Sequence, residues 1–307
     1  MIALGAIGSV GAWSLGGCTG KISGAGAGGA PGAAKTPTGP GTAAPPGPTG
    51  GPGNTFIDQD SPALERLTNV EYSQTVSDVL GEPAGAATRY ALPVDPTQHG
   101  FDDNVALLQI SSAHAQSFAD AAAAIATAAL ADPTRHALVT TCDLSTGAAC
   151  LQTTIESIGR RLYRRPLTDD EVSGFVTLAA AGASATDANA GAEAVVEAML
   201  QSPHFLYRVQ LGAADPSRAG IVGLTGYEMA TRLSYLLLGT TPSDALLDQA
   251  AAGALDTTDG VGKVVQQMLV DPLARRGVKR FYAQWLPLDE ISGPTADSER
   301  VPHMGDT

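Results

Sequence analysis

Gln98-His-Gly-Phe-Asp-Asp-Asn104 gathers chemistry-bearing side chains in one short stretch: His99, Asp102, Asp103 and Asn104 surround a glycine turn. Two carboxylates and an imidazole could hold a cation or act as an acid–base pair. They equally suit a turn whose Asp and Asn side chains bond nearby backbone, and that reading takes precedence. Arg160, Arg161, Arg164 and Arg165 form two i,i+4 pairs on one expected helix. Four guanidinium groups could grip an anionic ligand or a partner's carboxylates. Pairing with the chain's own acids, among them Asp169, Asp170 and Glu171, is the simpler assignment. Arg275, Arg276, Lys279 and Arg280 repeat the pattern. Either patch could dock helices or a further domain.

Cys142 and Cys150 flank the loop Asp143-Leu-Ser-Thr-Gly-Ala-Ala149. In an exported protein an even pair across such a loop reads as a disulfide. A metal site with His136 and Asp143 is the weaker alternative, because C-x-x-C spacing is missing. No metal ligand set is assigned. His204 lies beside Phe205 and Tyr207, which reads as packing. Trp285 with Phe281 and Tyr282 reads as core or as a face for another domain. The sequence has no C-x-x-C-H, H-E-x-x-H, G-x-S-x-G, Walker loop or EF-hand pattern. No catalytic residue is assigned, and no cofactor is expected in this chain.

The elements that must position these groups are helical. Three stretches share one device: Leu67-Thr-Asn-Val-Glu-Tyr72, Leu167-Thr-Asp-Asp-Glu-Val172 and Leu224-Thr-Gly-Tyr-Glu-Met229. Each is a capping box, in which the Thr hydroxyl accepts from the backbone N–H three residues on and the Glu reaches back. The Leu before each cap staples to the apolar residue at the fourth helical position. Helices are expected over Asn69–Leu80, Ser112–Asp132, Leu151–Arg165, from Thr168, from Asn189 with a kink or restart at Pro203, and over Gly226–Leu238. Further helices are expected from Thr241 as cap, over Gly260–Val270, and from Asp271 as cap with Pro272 at the first position. Gly81–Gly100 reads as loop. The fold class is therefore all-α, an irregular bundle of about nine helices.

Composition narrows the function classes. The 307 residues carry a net charge of −13. Phosphate neutralisation needs a basic face, so nucleic acid is not an expected partner. Residues 19–55 hold 19 Gly or Pro in 37 positions. Such a segment cannot bury enough apolar surface to offset its ordering entropy. The expected layout is a leader over 1–17, a disordered tether over 18–57, a small helical lobe over 58–135, and a larger helical domain over 136–307 with a polar tail.

Met1–Gly17 is apolar or small and uncharged, and ends Leu15-Gly-Gly-Cys18. It is too short to span a bilayer comfortably. It resembles a bacterial lipoprotein signal, although no Lys or Arg precedes Cys18. The resemblance implies cleavage before Cys18 and lipid on that residue. The partner there is a membrane, reached through the lipid anchor, and the location is the cell envelope, facing periplasm or exterior.

A second resemblance runs through the body. Leu64-Glu-Arg-Leu-Thr-Asn-Val-Glu-Tyr72 with Thr75–Gly81, Gly100-Phe-Asp-Asp-Asn104, Gly159-Arg-Arg-Leu-Tyr-Arg-Arg-Pro-Leu-Thr168, Gln201–Arg208, Tyr227–Leu236, Asp271–Arg275 and Phe281–Leu286 follow one another in order. They resemble a bacterial family of consecutive domains of unknown function, of planctomycete and myxobacterial type, often found beside a cytochrome c domain. The resemblance carries no catalytic residues. It implies a c-type cytochrome or a missing C-terminal domain as partner, and a chain truncated at its C-terminus. The expected function is a non-catalytic scaffold or partner-binding module in periplasmic redox systems. The alternative is a periplasmic enzyme with its site near His99–Asn104 or Arg160–Arg165.

Overall fold

A computed structural model describes residues 64–183, 189–214 and 222–286. The expected leader, the tether, Cys18 and the polar tail lie outside the described residues. Among those described, the chain is mostly helical, with twelve helices and a few short strands. None of these helices is long and apolar enough to cross a membrane.

Strand β1 (Leu64–Arg66) leads into α1 (Asn69–Leu80), followed by α2 (Ala86–Arg89), α3 (Ser112–Ala131) and α4 (Pro133–Val139). After a single 3-10 turn at Leu144–Thr146 come α5 (Ala148–Tyr163), α6 (Asp169–Gly182), α7 (Asn189–Gln201) and α8 (Pro203–Leu206). Strand β2 (Tyr207–Val209) pairs antiparallel with β1, matching Glu65 to Arg208. A second two-stranded pair joins β3 (Ala213–Ala214) to β4 (Val222–Gly223). The chain then runs through α9 (Gly226–Leu238), α10 (Asp244–Ala251), α11 (Thr258–Leu269) and α12 (Ala274–Trp285).

All three expected capping boxes form, with Thr68, Thr168 and Thr225 as N-caps and Glu71, Glu171 and Glu228 closing them. Each satisfies backbone donors that a helix start would otherwise leave without partners. Gly81 ends α1 in the left-handed conformation, where a Cβ is disfavoured.

Other helix starts differ from the expectation. Ser243, not Thr241, caps α10. The Thr241 hydroxyl instead donates to the Arg161 carbonyl. Asp271 does not cap α12, which begins at Ala274; its carboxylate takes the Leu273 N–H in the preceding turn. The same Asp-Pro device does start a helix at Asp132-Pro133, giving α4. Gly81–Gly100 is not entirely loop, because it contains α2.

The main core packs Tyr72 of α1 against Phe118 of α3 and Phe205 of α8, with ring centroids 5.3 and 5.8 Å apart. Leu80, Ile125, Ile155, Ile158, Leu162, Met199 and Leu200 fill the space around them. Helices on both sides of residue 135 contribute to this core. Ala121, Ala122, Ala126 and Ala129 make a small-residue face on α3. A second cluster joins Met229 and Leu233 of α9 to Leu246, Val264, Met268 and Ala274. Helix α9 belongs to both, since Tyr235 on it lies in the main core.

Candidate functional site

The four arginines do not converge on a ligand. Helix α5 ends at Tyr163, and Arg164 takes a left-handed conformation at φ 60°. Pro166 also disfavours helical geometry at Arg165. The turn sends the side chains in different directions. Arg160 reaches Asp248 at 2.5 Å and Asp244 at 3.4 Å, on α10. Arg161 donates to the carbonyls of Leu138 at 2.7 Å and Val79 at 2.8 Å, closing the ends of α4 and α1. Arg164 is buried and donates to the carbonyls of His204, Phe205 and Tyr207 and to the Tyr235 hydroxyl. Arg165 forms a two-pronged pair with Glu171, each prong 2.8 Å. Helix C-termini leave carbonyls without intrahelical donors, and cationic donors suit them. These arginines therefore act as struts between helices. Of the acids expected to pair with them, Glu171 does so.

The His99–Asn104 stretch is a tight turn. Gln98 and Phe101 exchange both backbone hydrogen bonds, and His99 and Gly100 both take positive φ, at 54° and 87°. Two residues at positive φ are what such a two-residue connection requires, and glycine at the second relieves the strain. His99 and Asp103 are exposed. Asn104 bonds the Ala106 N–H and the Gln98 side chain. Asp102 turns away to α12, accepting from Arg280 at 2.8 Å and Gln284 at 2.5 Å. The four side chains do not form one constellation.

Cys142 and Cys150 are joined as a disulfide, so their sulfurs are not thiolate ligands. His136 instead faces Asn189 at 3.3 Å. Among the described residues no three His, Cys, Asp or Glu side chains gather closely enough to hold a metal ion.

A different group of residues does converge. Glu71 on α1 is 3% exposed. Its Oε2 closes the capping box on the Thr68 N–H, and its Oε1 accepts from Arg208 at 3.2 Å and Arg280 at 3.3 Å. Arg208 also pairs with Glu65 at 2.9 Å. Arg280 donates to the Thr68 hydroxyl at 3.0 Å as well as to Asp102. Beside this knot, the buried ring of Tyr235 has the Arg164 guanidinium 5.7 Å from its centroid and that of Arg208 at 5.5 Å. Such placement is attractive because the ring face is electron-rich. The Tyr235 hydroxyl pairs with Thr75 at 3.0 Å.

Three family models match successive stretches of this sequence. Residues 65–131 match a protein of unknown function (DUF1587), 150–210 another (DUF1595), and 224–307 a third (DUF1592). They are the consecutive domains of the planctomycete-type family. The chain belongs to that family. No curated protein and no solved structure matches it. In this member the three matched stretches meet at Glu71, which lies in the first and holds Arg208 of the second and Arg280 of the third. Sequence patterning assigned Glu71 only its capping role. The Thr-x-x-Glu spacing is fully explained by the cap, and nothing local marks arginines so distant in the chain.

One cleft lies beside this frame, about 420 Å³, walled by Tyr163, Val209, Leu211 and Tyr227 and rimmed by His204, Arg165 and Glu228. His204 packs at the edge: it is exposed, with its ring tilted against that of Tyr163 and the centroids 5.2 Å apart. Burial, then the nearby Arg165 charge, lower its pKa below the ordinary imidazole value. Its Nε2 stands 3.7 Å from Glu171 Oε1. Hydrogen bonds from Arg165 hold Glu171 at a pKa of about 2. Both Glu228 oxygens accept backbone N–H groups, from Thr225 and Gly212. On the rim, Arg165 and Glu228 are thus already engaged within the protein.

Proposed function

We propose that this chain is a lipid-anchored envelope protein whose helical body is a non-catalytic scaffold, linked to periplasmic redox systems through a c-type cytochrome partner. The observation that carries the scaffold reading is the use of Arg160, Arg161, Arg164 and Arg165 as helix struts and of Asp102 as the partner of Arg280. These arginines and Asp102 are thus occupied in joining helices. The anchor rests on the apolar leader ending at Cys18. The disulfide suits an oxidising compartment outside the cytoplasm. The cytochrome link rests on the company kept by the family.

Two measurements test this reading. Labelled palmitate is expected to enter the full chain and not its Cys18→Ala variant; equal incorporation removes the anchor. Gentle affinity isolation from the native membrane fraction, followed by haem staining, is expected to reveal a covalent haem protein in stoichiometric amount. A haem-free isolate that includes every component needed for the chain's own solubility and fold removes the redox link.

A further inference from the structure

The cleft beside Tyr163 has the volume of a small-molecule site, about 420 Å³. Its apolar walls are fixed by the surrounding fold. Tyr163 meets Phe175 edge-on, with ring centroids 6.3 Å apart. Val209 ends β2, which pairs with β1. Gly212, next to Leu211, donates its N–H to Glu228 on α9 at 2.8 Å. Tyr227 lies in the first turn of α9, set by the capping box of Thr225 and Glu228. A preformed site of this kind binds with little ordering cost.

The charged side chains lining the cleft are spent. Arg165 is held in its two-pronged pair with Glu171. Arg164 donates to three carbonyls and to the Tyr235 hydroxyl. Both Glu228 oxygens accept backbone N–H groups. A charged ligand would give up its hydration here and meet no free countercharge. Two neutral polar groups remain open among the described residues. The His204 ring makes no hydrogen bond, since even Glu171 is 3.7 Å from its Nε2. The Tyr227 hydroxyl makes none either; the residue's carbonyl takes the Thr231 hydroxyl instead. With its pKa lowered, His204 is uncharged at neutral pH, a donor on one nitrogen and an acceptor on the other.

We infer that this cleft binds an uncharged aromatic molecule bearing a hydroxyl or carbonyl oxygen. The ring packs among Tyr163, Val209, Leu211 and Tyr227, and the oxygen meets His204 and Tyr227. Three rings line the cleft, those of Tyr163, His204 and Tyr227. A flat aromatic ligand can lie offset or edge-on against such rings, a gain that an aliphatic ligand of equal area lacks. An oxygen on that ring supplies the partner that the imidazole and the phenol are missing, and a plain hydrocarbon does not. The site is separate from the Glu71 knot, and it stands whether or not the body also serves as a scaffold.

The probes are 2-naphthol, uncharged at neutral pH, and its anionic counterpart 2-naphthoate, each titrated against the full chain by ligand-observed NMR. A dissociation constant of roughly 0.1–1 mM is expected for 2-naphthol, as for a well-seated fragment of its size. Binding of 2-naphthoate is expected to be about ten-fold weaker or less. Two variants locate the site. Leu211 is 65% exposed, so Leu211→Lys spares the core and places an unmatched cation on the cleft wall. It is expected to weaken 2-naphthol and to bring 2-naphthoate to equal or better affinity. His204→Phe/Tyr227→Phe keeps the rings and removes both polar groups. A loss of about ten-fold in 2-naphthol affinity is expected there, from two hydrogen bonds. Circular dichroism checks that both variants keep their helices. Absence of 2-naphthol binding to the full chain overturns the inference, and so does an equal or higher affinity of the unaltered chain for 2-naphthoate. Binding of 2-naphthol that either variant leaves unchanged also overturns it, because the probe then sits elsewhere, as on the exposed rings of Phe281 and Trp285, or without its oxygen anchored.

Discussion

Arg280 Nη1 lies 3.3 Å from Glu71 Oε1 across 209 residues of sequence. The same oxygen holds Arg208 at 3.2 Å, so one carboxylate joins the first, second and third matched stretches of the family. Taking a carboxylate out of water is costly unless charge and hydrogen bonds compensate, and here two guanidiniums and a helix-cap N–H do so.

Glu71→Gln tests the knot without breaking the cap, because glutamine also closes a capping box. The substitution leaves Arg208 and Arg280 with less countercharge in a largely dry site. A loss of about 2–4 kcal/mol is expected from the behaviour of half-removed buried pairs. The denaturant midpoint measures it, with Glu228→Gln as the comparison. That residue also closes a capping box but pairs with no arginine among the described residues. Equal losses in the two variants would show that the charge at Glu71 contributes nothing beyond the cap.

What could be read in the sequence was local. The Thr-x-x-Glu caps, Gly81 and the Cys142–Cys150 pair all concern residues within eight positions of their partners, where spacing alone constrains geometry. The fate of the arginines was not local. A regular helix through Arg165 would have put the four guanidiniums on adjoining faces, but the left-handed turn at Arg164 separates them. Their acceptors, such as Asp248, Val79 and Tyr207, lie 43 to 88 residues away. The Asp-Pro signal shows the same limit within one element type, starting α4 at Asp132 but only a turn at Asp271.

Acid stability should depend on Arg165 and Glu171. Glu171 has a pKa of about 2, against an ordinary 4.5, chiefly through the Arg165 hydrogen bonds. A depressed carboxylate stabilises the fold above its unfolded value and loses that contribution as pH falls from about 4.5 through 2. Because the pair is partly open to solvent, about 1–2 kcal/mol is expected. Urea midpoints between pH 5 and 2 should fall less steeply in Glu171→Gln, which keeps the cap. Parallel curves would remove the pair from the stability balance.

Reduction of the disulfide should cost roughly 2–3 kcal/mol by loop-closure entropy. In a body of this size that corresponds to a fall of about 5–10 °C in Tm. The bond ties the approach to α5 onto the Cys150 turn, and Cys142 lies near Thr154 and Thr140. Scanning calorimetry with and without reductant measures the shift. A Cys142→Ala/Cys150→Ala variant as stable as the oxidised protein would show that the link adds nothing to the fold.

Gly277 offers a test in which the sign matters more than the size. Alanine is normally favoured over glycine inside a helix by about 1 kcal/mol. At Gly277 a Cβ would strike the carbonyl oxygens of Leu237 and Leu236, because α12 sits directly on the end of α9. Backbone cannot move aside as a side-chain tip can, so Gly277→Ala should destabilise by about 1–3 kcal/mol. At Gly174 in α6 and Gly262 in α11, no described atom beyond the helix's own neighbouring backbone lies within 4 Å of the position a Cβ would take. Alanine at either should stabilise by about 0.5–1 kcal/mol. Gly277→Ala should also weaken the reach of Arg276 and Arg280 to α1, since both lie on the same helix. Combined with Glu71→Gln, it should therefore cost less than the two changes measured apart. Full additivity would mean that the seat on α9 and the ion pairs on α1 hold α12 independently.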